Sequence, residues 1–384
     1  MTREIAIHLG KLGVKVIILP VSSNPRDRLF PRTPTPEGEE GYEFDEILAQ
    51  DNIEVRRVPQ HAFHYRFDPF SVRKAVERVI DEQSVDIVFS YFYDGAFLGS
   101  LLTKHNIKFA YISTWQSYVM ARDRAFSYSG LRGFFERTTY KQFIEKPHKR
   151  AEMLFATSQY TANELSGCIG VEKDRIHIAY LGVDEHFHKI PRKKAAQVVN
   201  LVYFGRVIIS KGIWDAIEAL GKLAAKGIKN WNFRLIGDAG KPAVAHANRL
   251  ARQYGIEDKI QYAPAVDDLG LEKELQAAHL AIMPSHSESF GLAFAEAQAA
   301  GLPVVAYAVG SLPEVIENGV TGWLAPFRDV DKLADCIESA LEDSERTYQF
   351  GMAGRERVAR LFTWEKTGEV IFSRIQELLN ETNH

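Results

Sequence analysis

Short runs rich in Val, Ile and Phe alternate along this chain with longer stretches whose apolar positions recur every three or four residues. The first pattern predicts strands and the second helices, and their alternation predicts parallel α/β sheets. In the first half the strand candidates are residues 14–19, 55–58, 86–90, 109–112, 153–156 and 174–179, with helices over 70–83 and 95–105. A second series has strands over 198–204, 232–236, 260–263, 280–284, 304–308 and 322–325, with helices such as 214–226 and 241–254 between them. Residues 186–198 (HFHKIPRKKAAQV), basic and polar around Pro191, read as a linker. Residues 24–41, rich in proline and glycine, read as an irregular loop. The expected architecture is two Rossmann-like domains, 1–190 and 191–362, facing across a cleft that receives ligands at the carboxyl ends of the strands.

The start of the chain departs from that plan. MTREIAIHLGKLGVKVIILP reads as an amphipathic helix (Ile5, Leu9, Leu12) followed by a strand. A Rossmann domain opens instead with a strand and a Gly-rich turn, and a sheet without its central strand leaves backbone groups unpaired.

Composition adds mainly exclusions. At 384 residues the chain can build two substantial cores, and its 25% charged and 46% hydrophobic residues are ordinary for a globular protein. A net charge of −3 gives no general attraction to nucleic acid. Cys168 and Cys336 are far apart in sequence and form neither a disulfide framework nor a metal pattern. No apolar run reaches membrane-spanning length and the N-terminus shows no signal-peptide pattern, so the expected location is cytoplasmic. Residues 131–150 (LRGFFERTTYKQFIEKPHKR) mix aromatics with six Lys/Arg. That run reads either as a solvated amphipathic helix or as a surface for peripheral membrane or acceptor contact.

Candidate chemistry concentrates in the second half. Residues 285–301 read SHSESFGLAFAEAQAAG, with Glu288 and Glu296 separated by seven residues. The Ala-rich run predicts a helix that places the amides of Phe290, Gly291 and Leu292 at its N-terminus, where an anion is favoured, and Glu296 about a turn further in. Two carboxylates around a phosphate-ready helix start suit a ligand with hydroxyls on both sides of a phosphate, as in a nucleotide-sugar. Residues 205–212 (GRVIISKG) join a strand to a helix, with Arg206 and Lys211 placed to grip a diphosphate. The turn 235–240 (LIGDAG), containing Gly237, and residues 310–314 (GSLPE) read first as strand-to-helix turns. Asp329-Val330-Asp331 has the form of a metal-binding triplet, but helix capping accounts for Asp329. His286 stands beside Glu288, with a ligand contact and a structural hydrogen bond both open.

Together these segments resemble glycosyltransferase family 4, retaining enzymes of the GT-B fold. The resemblance rests on LGVD (181–184), GRVIISKG, LIGDAG, PSHSESFGLAFAEAQAAGLPVVA, GSLPEVIENGVTGWL and a late FTWE (362–365), in that order. It implies an α/β GT-B fold with an acceptor-side first domain and a donor-side second domain. After FTWE, a last helix over 363–384 would cross back to the first domain. The resemblance also assigns roles. Arg206 and Lys211 would neutralise the donor diphosphate in place of a metal, so no cofactor is expected. Glu296 would bind the ribose hydroxyls and Glu288 would lie at the donor sugar as a positioning group. Phe290, Gly291, Leu292 and Gly237 would complete the donor site. The implied partners are a UDP- or GDP-sugar and a glycan, lipid-linked or small-molecule acceptor. On the acceptor side the chain departs from the pattern: Ser113-Thr114-Trp115-Gln116 stand where a histidine is frequent, and Tyr91 and Phe92 where polar residues are. A nucleotide-sugar-binding protein or partner subunit, and a GT-B nucleotide-sugar epimerase, remain as alternatives.

Overall fold

In the computed structural model, placement is described for residues 1–19, 21–22, 52–56, 58–59, 64–91, 94–113, 122–123, 126–127, 129–194 and 197–381. The chain divides into two units, one formed by Met1–Gly182 with Trp364–His384 and the other by Val183–Thr363.

In the second unit six strands form one parallel sheet. They are β9 (Val199–Phe204), β10 (Trp231–Ile236), β11 (Ile260–Ala263), β12 (Leu280–Ile282), β13 (Val304–Tyr307) and β14 (Gly322–Ala325). Their order is β11-β10-β9-β12-β13-β14. Helices on both faces explain why β12 (LAI) and β13 (VVAY) are apolar at every position and buried throughout. The chain leaves β9 toward β10 on one side, then returns to place β12 on the other. Strand order therefore reverses between β9 and β12, and the connections leaving their carboxyl ends diverge there, which is where open α/β sheets receive ligands.

In the first unit the described strands fall into three sheets. β1 (Val16–Ile18) pairs with β3 (Ile53–Val55), and β2 (Val21–Ser22) pairs with β4 (Val58–Pro59). β5 (Ile87–Tyr91), β6 (Lys108–Ser113), β7 (Met153–Ala156) and β8 (Ile176–Ile178) form a parallel four-stranded sheet in that order. Helix α1 (Thr2–Lys11) precedes β1 and packs against the last helix, α5 (Trp364–Asn380). The packing requires glycine, because a Cβ on Gly368 would stand 2.7 Å from the Cβ of His8. Thr367 donates to the Tyr180 carbonyl at 2.6 Å, and a Cβ on Gly182 would stand 2.2 Å from the Trp364 nitrogen. The last helix thus belongs to the first unit, as the resemblance implies.

Several expected elements change form. The single strand at 55–58 becomes two strands in different sheets, with Arg56 between them paired to Glu54 and Glu82. The helix at 95–105 breaks into a 3-10 turn Asp94–Phe97 and a helix Gly99–Lys104, with Gly95 pressed against Phe109 and Ser90. Over 131–150, helix α2 (Gly130–Tyr140) passes through one π turn, Lys141–Glu145, into Lys146–Arg150. Pro147 has no amide to donate and its ring crowds the preceding turn, which favours the wider turn there. The expected linker at 186–198 is instead part of the second unit. Glu185–His188 forms a helical turn with Phe187 buried, and the Arg192 guanidinium donates to the carbonyls of Leu275 and Ala278. The loop at 24–41 lies outside the described residues.

Candidate donor site

The turn after β9 emerges at the point of strand reversal. Gly205 adopts φ +132°, Tyr203 donates to the Arg206 carbonyl at 2.7 Å, and Val207 is buried. A 3-10 turn, Ile209–Lys211, then delivers the chain to Gly212, which opens helix α3 (Ile213–Ala225) at φ +67°. A side chain cannot replace the hydrogen here: a Cβ on Gly212 would stand 1.8 Å from the Pro284 carbonyl oxygen. That contact brings the turn against the loop leaving β12, and the His286 amide donates to the Ser210 carbonyl across the same gap at 2.9 Å.

This approach joins residues the sequence keeps apart. Lys211 Nζ donates to Glu288 Oε1 at 2.6 Å, with the two side chains 15% and 9% exposed. The Glu288 carbonyl is fixed as well, by the Ser311 amide at 3.2 Å and by Gly310, whose Cβ would lie 2.1 Å from that oxygen. Glu288 is therefore held at both ends. Arg206 is exposed, and among the described residues no carboxylate pairs with its guanidinium. The turn thus presents one cation that is paired and shielded and one that faces solvent.

Helix α4 (Leu292–Ala299) starts from Gly291, at φ +90°, where a Cβ would meet Leu312 and Phe294 side chains. Its first amides lack acceptors one turn earlier and remain donors for an anion or hydroxyls. The Phe290 side chain is buried and meets the Phe362 ring edge-on at 5.3 Å between centroids, so only its backbone can serve a ligand. Leu292 is half-buried. Gly237, at φ +142°, would carry a Cβ 1.9 Å from the Gly205 carbonyl oxygen. Its glycine is required to let two strand-end turns touch.

Glu296 is the fifth residue of α4, at the start of its second turn. Burial, followed by the charges of Asp184 and Asp268, pushes its pKa up to about 7. In the unfolded chain this carboxyl ionises near its ordinary value, so its contribution to stability is full at acid pH and is lost as pH rises through about 7. If Glu296 serves a ribose, accepting from both hydroxyls of the diol with both of its oxygens requires the ionised form. Nucleotide affinity should therefore rise between about pH 6 and 8, and Glu296→Gln should flatten that rise, measured by calorimetry at both pH values. An unchanged profile in the variant would assign the pH dependence to another group.

Other candidates resolve differently. Asp329 caps the helix Val330–Glu342 by accepting from the Lys332 amide at 2.9 Å, and Asp331 pairs with Lys222 at 2.6 Å. Among the described residues no group of His, Cys, Asp and Glu side chains could hold a metal. His286 makes a structural hydrogen bond: its Nε2 donates to Asp215 Oδ2 at 3.0 Å, and the Tyr307 hydroxyl donates to the same oxygen at 2.9 Å. Asp215 was missed in the sequence, where nothing marks a first-turn helix carboxylate as the partner of a histidine so distant. In the first unit, Ser113 is buried against His148 Nε2 at 3.1 Å, and burial lowers the His148 pKa to about 4. Thr114, Trp115, Gln116 and Phe92, and the side chain of Tyr91, lie outside the described residues.

Residues 1–187 match the family described as Glycosyltransferase Family 4, and residues 184–357 match Glycosyl transferases group 1. The chain belongs to glycosyltransferase family 4. Among curated relatives, it is 31% identical over 231 residues to D-inositol 3-phosphate glycosyltransferase 2 of Catenulispora acidiphila, covering 56% of this chain and 54% of the relative. This family 4 chain spans about half the length of the curated relatives it matches. Solved structures share its fold. Sucrose-phosphate synthase from Thermosynechococcus elongatus superposes with a TM-score of 0.74 at 19% identity, covering 99% of this chain and 93% of that one. Anabaena HepE in complex with UDP gives 0.72 at 18% identity, covering 95% and 100%. The family 4 chain therefore has the GT-B fold, with a Rossmann-like domain in each unit.

Proposed function

We propose that this chain is a retaining, metal-independent glycosyltransferase that moves a sugar from a UDP- or GDP-sugar to a hydroxyl of a glycan, glycolipid or small glycoside. The observation that carries this reading is the Lys211–Glu288 pair beside the exposed Arg206, where strand order reverses. Two cations and the α4 amides offer a diphosphate what a divalent metal offers elsewhere: compensation of charge that grows as the leaving group departs. Glu296 would take the ribose, with Gly237 and the Gly291 and Leu292 backbone completing the site. In the transfer step the bond from the anomeric carbon to the diphosphate oxygen breaks. The acceptor oxygen bonds to that carbon on the same face, and its proton passes to the departing phosphate. Glu288, next to the sugar, acts through charge and position rather than as a nucleophile. The UDP and UDP-glucose bound by Anabaena HepE favour a uridine donor, and the inositol-phosphate relatives favour a polyol or sugar acceptor.

Calorimetric titration with UDP, GDP and ADP, in the presence of a chelator, tests the reading. One nucleotide should bind selectively, and Arg206→Ala should weaken it by about 10-fold or more. No binding by the folded protein would defeat the proposal. Binding without turnover on any acceptor would instead identify a nucleotide-sugar-binding protein or partner subunit, and conversion of donor without acceptor an epimerase. Among the described residues no helix is long and apolar enough to cross a membrane. Phe134 and Phe135 of α2 are 57% and 56% exposed among Arg132, Arg137 and Lys141, which favours peripheral membrane contact from a cytoplasmic location. Absence of co-sedimentation with anionic vesicles would remove that extension.

A further inference from the structure

Two side-chain cross-links join the turn after β9 to the loop after β12. The first is Lys211 to Glu288. The second runs parallel to it: Asp215 lies one helical turn beyond Lys211, and His286 lies two residues before Glu288. Asp215 Oδ2 accepts from His286 Nε2 at 3.0 Å and from the Tyr307 hydroxyl at 2.9 Å, so one carboxylate ties the ends of β12 and β13 to the start of α3. A carboxylate can only accept, which sets the proton on His286 Nε2. Burial first, then the Asp215 charge, push the Tyr307 pKa up and keep its hydroxyl a donor. The Phe327 ring stands edge-on to His286 at 5.6 Å and to Tyr307 at 6.1 Å between centroids.

The two cross-links differ in what a donor does to them. A diphosphate competes with Glu288 for Lys211 and so weakens the first. It has no such claim on the second, whose only cationic candidate is His286 itself, bound to Asp215. We propose that the Asp215–His286–Tyr307 linkage is a positioning device that holds Glu288 against the donor sugar once Lys211 has turned to the diphosphate. The inference rests on the donor-site reading above. It makes Asp215 and His286 positioning residues: neither touches the reacting atoms, and both act through the loop that carries Glu288.

The test separates binding of the nucleotide from handling of the sugar. For wild type, His286→Leu, His286→Gln and Tyr307→Phe, the measurements are the Kd for the nucleoside diphosphate, kcat and KM for nucleotide release from the nucleotide-sugar, and Tm. His286→Leu should leave the diphosphate Kd within about 2-fold while kcat falls about 10- to 100-fold, because a displaced Glu288 misplaces the sugar but not the phosphates. His286→Gln, which keeps a donor near the Nε2 position, should recover most of kcat. Tyr307→Phe, which removes one hydroxyl and keeps the ring, should fall between. Equal losses of diphosphate affinity and kcat, tracking a fall in Tm, would show a merely structural role and overturn the inference. So would an unchanged kcat in His286→Leu. Wild-type protein that bound no nucleoside diphosphate would overturn the donor-site reading and this inference with it, and that result is read before any variant is compared.

Discussion

Lys211→Ala should lower both stability and sugar transfer, and a second substitution should recover only the first. The variant leaves the Glu288 carboxylate, itself 9% exposed, without the ammonium that stands 2.6 Å away. Stranding one charge of a shielded pair costs about 3–5 kcal/mol, and the residual exposure of Lys211 places this case at the lower end. Transfer should fall about 10²- to 10³-fold, the usual loss when one preorganised group is removed from a developing anion. In Lys211→Ala/Glu288→Gln the unpaired charge is gone, so stability in urea should return toward wild type while nucleotide release stays low. If the double variant regained activity along with stability, Lys211 would be a structural lysine and not a diphosphate ligand.

Gly212→Ala should be about as damaging, for a reason independent of charge. Two penalties combine at this residue. The left-handed φ of +67° costs an alanine about 1 kcal/mol. The methyl group would also stand 1.8 Å from the Pro284 carbonyl oxygen, a backbone atom that no rotamer change can move. The turn and the loop after β12 must then separate, which stretches the His286-to-Ser210 hydrogen bond and parts Lys211 from Glu288. A total cost of about 2–4 kcal/mol and loss of nucleotide binding are expected. Gly227→Ala is the control: its φ is +91° but nothing lies within 4 Å of the added carbon, so it should show only the conformational cost and keep nucleotide affinity. Equal destabilisation by the two substitutions, measured by thermal unfolding, would mean that backbone strain and not the close approach sets the price at Gly212.

Much of the fold was legible because period and burial agree. The runs MLFA, VVAY and GWLA are short, apolar and bounded by turn residues, and each forms a strand where its pattern predicts one, at Met153–Ala156, Val304–Tyr307 and Gly322–Ala325. Helix α3 was equally plain, since its apolar residues recur at helical spacing over Ile213–Ala225. Patterns failed where a neighbour overrode local preference. Pro147 converts part of a long helix to a π turn, Gly95 sits in the 3-10 turn that interrupts another, and Arg192 pulls an expected linker into the second unit by donating to two carbonyls.

The candidate site divides along the same line. The sequence by itself determined which chemistry was present: two cations in a strand-to-helix turn, two glutamates around an Ala-rich helix start, and glycines between them. Those are local properties, set by residue type and by spacing within one segment. Only the tertiary structure decided that Lys211 is already held by Glu288 while Arg206 is not, that Phe290 faces the core, and that Asp215 anchors His286 and Tyr307. Gly237 and Gly212 likewise proved to be places where one backbone meets another. The reason is physical. Each of these facts depends on which segments become neighbours in the fold; for Lys211 with Glu288 and Asp215 with His286 that follows from the reversal of strand order between β9 and β12, which joins residues 77 and 71 positions apart and has no signature in the spacing of either segment.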